Sequence, residues 1–199
     1  MNSWQKNLRQ ILKRLQLNNP APRIGIVGIG NEFRGDDAAG IFLVRRLASS
    51  LQENEALLIV DAGTAPENHT NLLRRFALDL VILIDAVDME QLPGSIQCIP
   101  WHDLTGLSAS THSLPLDLFA KYLEQELKCE IMFLGIQSVD TSMNAELHSE
   151  VRFSVEKASL DFVALISAFT NQEHIPQENC FNISSPQIAP PNRHQFRST

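Results

Sequence analysis

The chain has 199 residues, of which 44% are hydrophobic and 20% charged, and its formal net charge is -7 at pH 7. This length suits one α/β domain with a full core, and the negative charge argues against nucleic acid as a general partner. The three cysteines (Cys98, Cys129 and Cys180) lie far apart and form no CxxC motif. They argue against a disulfide framework and a structural zinc site, and favour a reducing compartment such as the cytoplasm. We also expect neither a transmembrane segment nor a secretory signal, because the sequence has no long apolar run.

The first predicted element is a helix within residues 1–22, a segment with four basic residues and no acidic one. Its apolar residues recur at helical spacing: Trp4, Leu8, Ile11, Leu12 and Leu15. This pattern predicts a basic amphipathic helix that packs on the domain. A helix that binds a membrane surface or a partner protein is the alternative.

From residue 24 onwards, apolar runs alternate with helical patterns. We predict strands over residues 24–29, 57–60, 80–84, 95–99 and 131–134, and helices over residues 37–51, 67–76, 116–127 and 146–168. Strands that are apolar on both faces and separated by helices indicate a three-layer α/β fold with a twisted, mostly parallel five-stranded sheet. This domain would cover residues 23–170. Residues 171–199, rich in Pro, Asn, Gln and Ser, are expected to form a loosely ordered tail.

Residues 24–40 (IGIVGIGNEFRGDDAAG) predict a buried strand, a glycine-rich turn and the start of a helix. Such a turn usually cradles a phosphate group with backbone N–H groups. Here the turn carries Asp36 and Asp37, and two carboxylates would repel a pyrophosphate. Asp61, at the end of the second strand, still matches the position of the acid that binds ribose hydroxyls in dinucleotide sites. A nucleotide-binding, oxidoreductase-like module therefore stays open as an alternative.

More polar residues follow the other predicted strands. Asp61 and Asp85 end the second and third strands, Gln137 follows the last one, and His112 precedes the helix that begins near residue 114. Any one of them could be a helix cap or a turn residue. Because the carboxyl ends of parallel strands meet at one edge of a sheet, we expect them to converge there. Carboxylates and an imidazole suit a divalent ion such as zinc or nickel.

Five motifs occur in a fixed order between about residues 24 and 165: GIGNEFRGDDAAG, VDAGTAPEN, LIDAVDM, THSLPL and FLGIQ. In this order the chain resembles the endopeptidases that mature NiFe hydrogenase large subunits. The resemblance implies a twisted, mainly parallel sheet between helices. It also implies that Asp37, Asp85 and His112 contact the metal and carry the catalysis. The residues expected to shape the substrate cleft are Asp36, Asp61, Gly63, Thr64 and Gln137.

The resemblance further implies a substrate: a hydrogenase large-subunit precursor that already holds nickel and loses a short C-terminal extension. Nickel would arrive with this substrate, so we expect no organic cofactor. The sequence has no HExxH or GxSxG motif, which fits an aspartic-type or metal-assisted endopeptidase. Nickel could polarise the scissile carbonyl or activate a water, or one acid could act as general base while nickel only positions the substrate. A non-catalytic chaperone that senses nickel is a further alternative.

Overall fold

A computed structural model describes residues 3–52, 54–104 and 115–170 of the chain. The strands in these ranges are β1 (Ile24–Ile29), β2 (Leu57–Gly63), β3 (Leu80–Val87), β4 (Ile96–Ile99) and β5 (Glu130–Gln137). The α-helices are α1 (Ser3–Asn18), α2 (Ala39–Ser50), α3 (Thr70–Phe76), α4 (Leu116–Leu127) and α5 (Ser149–Thr170). Within the same ranges, no helix has the length and apolar character to cross a membrane. The predicted tail, residues 171–199, lies outside the described part of the chain.

The five strands form one sheet in the order β2-β1-β3-β5-β4. Neighbouring strands run parallel, except that β4 is antiparallel to β5. Helices α1, α2 and α5 cover one face, and α3 and α4 cover the other, so the core consists of two apolar layers on either side of the sheet. The predicted three-layer α/β fold with a mostly parallel five-stranded sheet is confirmed.

Helix α1 packs on the domain through the face that its sequence predicts. Trp4, Leu8 and Leu12 are buried, and the Trp4 ring stacks on Phe162 of α5 with 4.9 Å between ring centroids. Burial of these side chains supplies a large apolar contribution to stability.

Two strands extend further than their apolar runs predict. Strand β3 continues to Val87, which pairs with Gln137, so Asp85 lies inside the strand and not beyond its end. Strand β2 likewise continues through Asp61 to Gly63. Pairing with a neighbouring strand keeps these polar residues extended, a tertiary effect that outweighs their low intrinsic preference for strands.

The order of the strands switches sides at β1, which has β2 on one side and β3 on the other. The connection from β1 through α2 leads to β2 on one side, whereas β3 lies on the other side of β1. Open α/β sheets have a crevice at such a switch point, outside the carboxyl ends of the strands, and ligands bind there. The end of β1 and the end of β3 therefore define the expected place of a site.

Candidate active site

The glycines of the first motif bring the start of α2 against the ends of β1 and β3. A Cβ atom on Gly40 would lie 2.4 Å from the carbonyl oxygens of both Ile29 and Ile84. Gly30 has φ +140°, and a Cβ atom there would lie 1.8 Å from the carbonyl oxygen of Asp37. No other residue fits at either position without displacing backbone. The glycine pattern therefore serves close packing between backbone segments, which places Asp37 beside strand β3.

Asp37 and Asp85 form the centre of the site, and we refer to them as the acid pair. Asp37 lies in the short 3-10 turn Gly35–Ala38 that precedes α2, and this turn packs against β3, which carries Asp85. Both side chains are buried. In the described part of the chain, the Oδ2 atom of each has no hydrogen-bond partner, while Oδ1 of Asp85 accepts a 2.8 Å bond from the Ala86 N–H. Buried carboxylate oxygens without partners are costly, so their presence indicates a functional requirement.

Burial raises the pKa of Asp37, an effect that the nearby charge of Arg34 and a backbone hydrogen bond from Asn31 oppose. Burial and then the negative charge of Asp37 hold the pKa of Asp85 well above its usual range, against the hydrogen bond from Ala86. The negative charge of Asp37 thus acts on the Asp85 carboxyl. A proton or a cation relieves the cost of burying a carboxyl beside a like charge, and strongly shifted acids in a crevice are typical of active sites.

The third predicted metal-contacting residue, His112, lies within residues 105–114, outside the described residues. In the ranges that are described, no group of three or more His, Cys, Asp or Glu side chains is arranged to hold a metal ion. The structure therefore brings Asp37 and Asp85 together, and the role of His112 stays a prediction.

Asp36, one of the residues predicted to shape the substrate cleft, is buried and holds a neighbouring segment in place. Its buried carboxylate accepts hydrogen bonds from the N–H groups of Val139 (2.8 Å), Asp140 (3.1 Å) and His148 (2.7 Å). His148 immediately precedes α5, so the carboxylate also lies at the positive end of that helix dipole. Asp36 therefore anchors the segment after β5 and is not available to a substrate.

Gln137 is likewise a structural residue and not part of an open cleft. Its buried Oε1 accepts hydrogen bonds from the N–H groups of Met89 (2.7 Å) and Gln91 (3.1 Å). Its Nε2 donates to the Asp88 carboxylate (3.1 Å) and to the Ser138 carbonyl (2.8 Å). These bonds use the amide's full capacity and fix the loop that follows β3.

The remaining predicted residues, Asp61, Gly63 and Thr64, line a cleft of about 510 Å³ at the carboxyl ends of β1 and β2. Arg45 of α2 reaches into this cleft and pairs with Asp61 (Nε to Oδ2, 2.7 Å) and with Glu32 (Nη1 to Oε2, 2.8 Å). The sequence analysis did not identify Arg45 or Glu32, since an arginine in an amphipathic helix carries no signal of its function. Both ion pairs are half-exposed, so they organise the cleft more than they stabilise the fold.

Comparison with known proteins identifies the family of the chain. The profile of the family described as hydrogenase maturation protease matches residues 41–168, more than half of the chain. The chain belongs to the hydrogenase maturation protease family. Among curated family members, the hydrogenase 3 maturation protease of Escherichia coli is 34% identical over 110 residues, which is 55% of this chain and 69% of that protein.

A second relative, a Methanocaldococcus jannaschii protein assigned to the hydrogenase maturation proteases, is 32% identical over 150 residues, covering 72% of this chain and 88% of that protein. Among solved structures, the NiFe hydrogenase maturation protease HycI from Thermococcus kodakarensis superposes with a TM-score of 0.70. That pair shares 27% identity over 80% of this chain and 98% of the other. Hydrogenase maturation proteases are endopeptidases, so the nucleotide-binding alternative is not favoured.

Proposed function

We propose that this protein is the cytoplasmic endopeptidase that removes the C-terminal extension from a nickel-loaded NiFe hydrogenase large-subunit precursor. One observation carries the proposal: the acid pair lies buried at the switch point of the sheet, and one oxygen on each carboxyl has no hydrogen-bond partner among the residues that the structure describes. A family of endopeptidases supplies the reaction class, and the acid pair supplies groups that can perform it.

The chemistry of the acid pair fits nickel that is held by the substrate. Two neighbouring buried carboxylates repel each other, and a divalent cation between them would relieve both the repulsion and the missing hydrogen bonds. Carboxylate oxygens and an imidazole are acceptable ligands for nickel, and His112 is the proposed imidazole. Because the metal belongs to the precursor, the protease needs no metal of its own at rest.

The acid pair also has the protonation properties that peptide hydrolysis requires. A water oxygen attacks the scissile carbonyl carbon, the C–N bond breaks, and a proton must pass to the leaving amine. An ionised carboxylate can accept a proton from the attacking water, and a raised pKa makes it a stronger base that can then return this proton to the amine. Asp85 has the larger upward shift and is our candidate for this transfer, while Asp37, beside Arg34, is better suited to stay ionised.

Dependence on nickel follows from the same arrangement. An empty precursor would offer the acid pair no cation, so it would lose the contact that places its extension at the site. We therefore expect cleavage of the loaded precursor only.

The test is incubation of the protein with precursor that is either nickel-loaded or nickel-free, followed by intact-mass spectrometry. We expect a discrete C-terminal peptide to be lost from the loaded form alone. Asp37→Asn, Asp85→Asn and His112→Ala should each reduce the cleavage rate by about 10²-fold or more. Asp161→Asn is the matched control, because this aspartate lies twelve residues along α5 from the anchored end, about 18 Å away.

The outcomes separate the alternatives. Full activity of folded Asp85→Asn and His112→Ala would refute the assignment of the site. Equal cleavage of nickel-free precursor would refute the metal requirement and leave the protease function intact. Binding of loaded precursor without any loss of mass would instead favour the chaperone.

A further inference from the structure

Three large apolar side chains are exposed on two adjoining loops at the rim of the site. Phe33 is 63% exposed, Val139 51% and Met143 60%. Phe33 belongs to the loop between β1 and the turn that carries Asp37, and the other two belong to the segment between β5 and α5. We call these two loops, residues 31–35 and 138–148, the rim platform.

The backbone of the rim platform is held in place although its apolar side chains are exposed. The Asn144 N–H donates to the Phe33 carbonyl (2.7 Å), and Arg34 Nε donates to the Thr141 carbonyl (3.0 Å). The Asp36 carboxylate gathers three further N–H groups from the second loop. A surface of this kind is pre-organised, because its loops lose little conformational freedom when a partner binds.

The position of the rim platform connects it with the site. The first loop leads within four residues from Phe33 to Asp37, and the second follows β5, the strand that pairs with β3 and its Asp85. Phe33 also lines the cleft that contains Asp61 and Arg45. A polypeptide that reaches the acid pair across this edge must therefore pass over exposed apolar surface.

We propose that the rim platform docks an apolar segment of the large-subunit precursor, adjacent to the extension that is removed. This inference rests on the proposed function and specifies how the substrate is recognised. Aromatic side chains and Met are enriched at protein–protein interfaces, and a pre-organised surface binds a partner at a lower entropic cost. The platform provides affinity for the body of the substrate, whereas the acid pair provides the chemistry.

The test compares two double variants in steady-state cleavage of nickel-loaded precursor. Phe33→Ser with Met143→Ser removes the platform's two largest apolar groups. Phe153→Ser with Leu160→Ser is the matched control on α5, where the side chains are similarly exposed (66% and 70%). We expect the platform variant to raise KM at least tenfold with kcat unchanged, and the control to change neither. Melting temperatures of both variants should stay close to that of the wild type, since all four side chains are exposed.

An unchanged KM in the platform variant, with active wild-type protein, would overturn the inference and leave the proposed function standing. A fall in kcat with constant KM would also overturn it, because the side chains would then act in the chemistry. Loss of a dimer without a change in KM would assign the surface to a second copy of the chain. If wild-type protein neither binds nor cleaves the precursor, the proposed function fails and the inference fails with it.

Discussion

Asp36 and the acid pair, Asp37 and Asp85, all have buried carboxyl groups, but these groups serve opposite purposes. Asp36 anchors the segment after β5, whereas the acid pair is the candidate catalytic centre. Three backbone N–H groups satisfy the Asp36 carboxylate, and Asp36 lies at the start of a long helix. Each member of the acid pair retains an oxygen without a partner among the described residues. A satisfied buried carboxylate stabilises structure, whereas an unsatisfied one costs stability and is retained for chemistry. Burial alone therefore does not distinguish a structural carboxylate from a functional one, whereas the hydrogen bonds that each carboxylate accepts do.

The largest stability effect should come from removing the anchor. In Asp36→Ala, three N–H groups lose their acceptor and the start of α5 loses a favourable charge, which we expect to cost about 3 kcal/mol. Asp37→Asn should leave the free energy of unfolding almost unchanged while it abolishes cleavage. Urea denaturation of both variants measures the contrast. Equal destabilisation by the two substitutions would mean that the neighbouring aspartates do not differ in role.

A smaller effect should come from forcing the acid pair apart. In Gly40→Ala the added methyl group would lie 2.4 Å from the carbonyl oxygens of Ile29 and Ile84, so the start of α2 must move away from the sheet. We expect a loss of about 1–3 kcal/mol together with a large fall in activity. Gly25→Ala is the control, because Gly25 lies near the opposite end of β1 and the three atoms nearest its added Cβ would all belong to the Leu78 side chain. Wild-type activity in a folded Gly40→Ala variant would contradict the proposed role of close packing.

The smallest predicted change in the free energy of unfolding is a gain in stability, which we expect from Asp85→Asn. Because the folded-state pKa of Asp85 is raised, the folded protein binds more protons than the unfolded chain between the two pKa values. Stability is therefore fully present below the unfolded pKa and is lost as the pH rises through the folded pKa. Asp85→Asn removes this loss, and we expect it to gain about 0.5–2 kcal/mol at neutral pH.

Thermal unfolding of wild type and Asp85→Asn between about pH 2 and about pH 8 measures that gain, because an unfolded Asp is protonated only below about pH 3. The two curves should converge at the acidic end, where Asp85 is neutral in both the folded and unfolded states. A variant less stable than wild type at neutral pH would show that the ionised Asp85 carboxylate stabilises the fold.

The elements that local patterning determines were predictable from the sequence. Strand β1 and helix α4 have the predicted bounds, because a continuous apolar run and a helical period each report directly on burial. The extensions of β2 and β3 were not predictable in the same way, because pairing with neighbouring strands holds Asp61 and Asp85 in extended conformation.

For the site, the motif order predicts Asp37 and Asp85 as functional residues, and the structure places both, buried, where the turn before α2 packs against β3. The sequence could not separate Asp36 from Asp37, since the partners of Asp36 lie more than 100 residues further along the chain. The structural role of Gln137 was not predictable for the same reason, because its partners in the β3–β4 connection belong to no motif. Long-range hydrogen bonds to backbone leave no local sequence signal, so the roles of such residues required the fold.

The Asp36 anchor has a consequence for how the protein is synthesised. Its partners, Val139, Asp140 and His148, are separated from it by 103 to 112 residues. During translation, both members of the acid pair leave the ribosome well before these partners do, and at about 5–20 residues per second the interval lasts several seconds. The turn that carries Asp37 thus acquires its final support only when most of the chain has emerged. Hydrolytic competence should therefore be among the last properties that the nascent polypeptide gains.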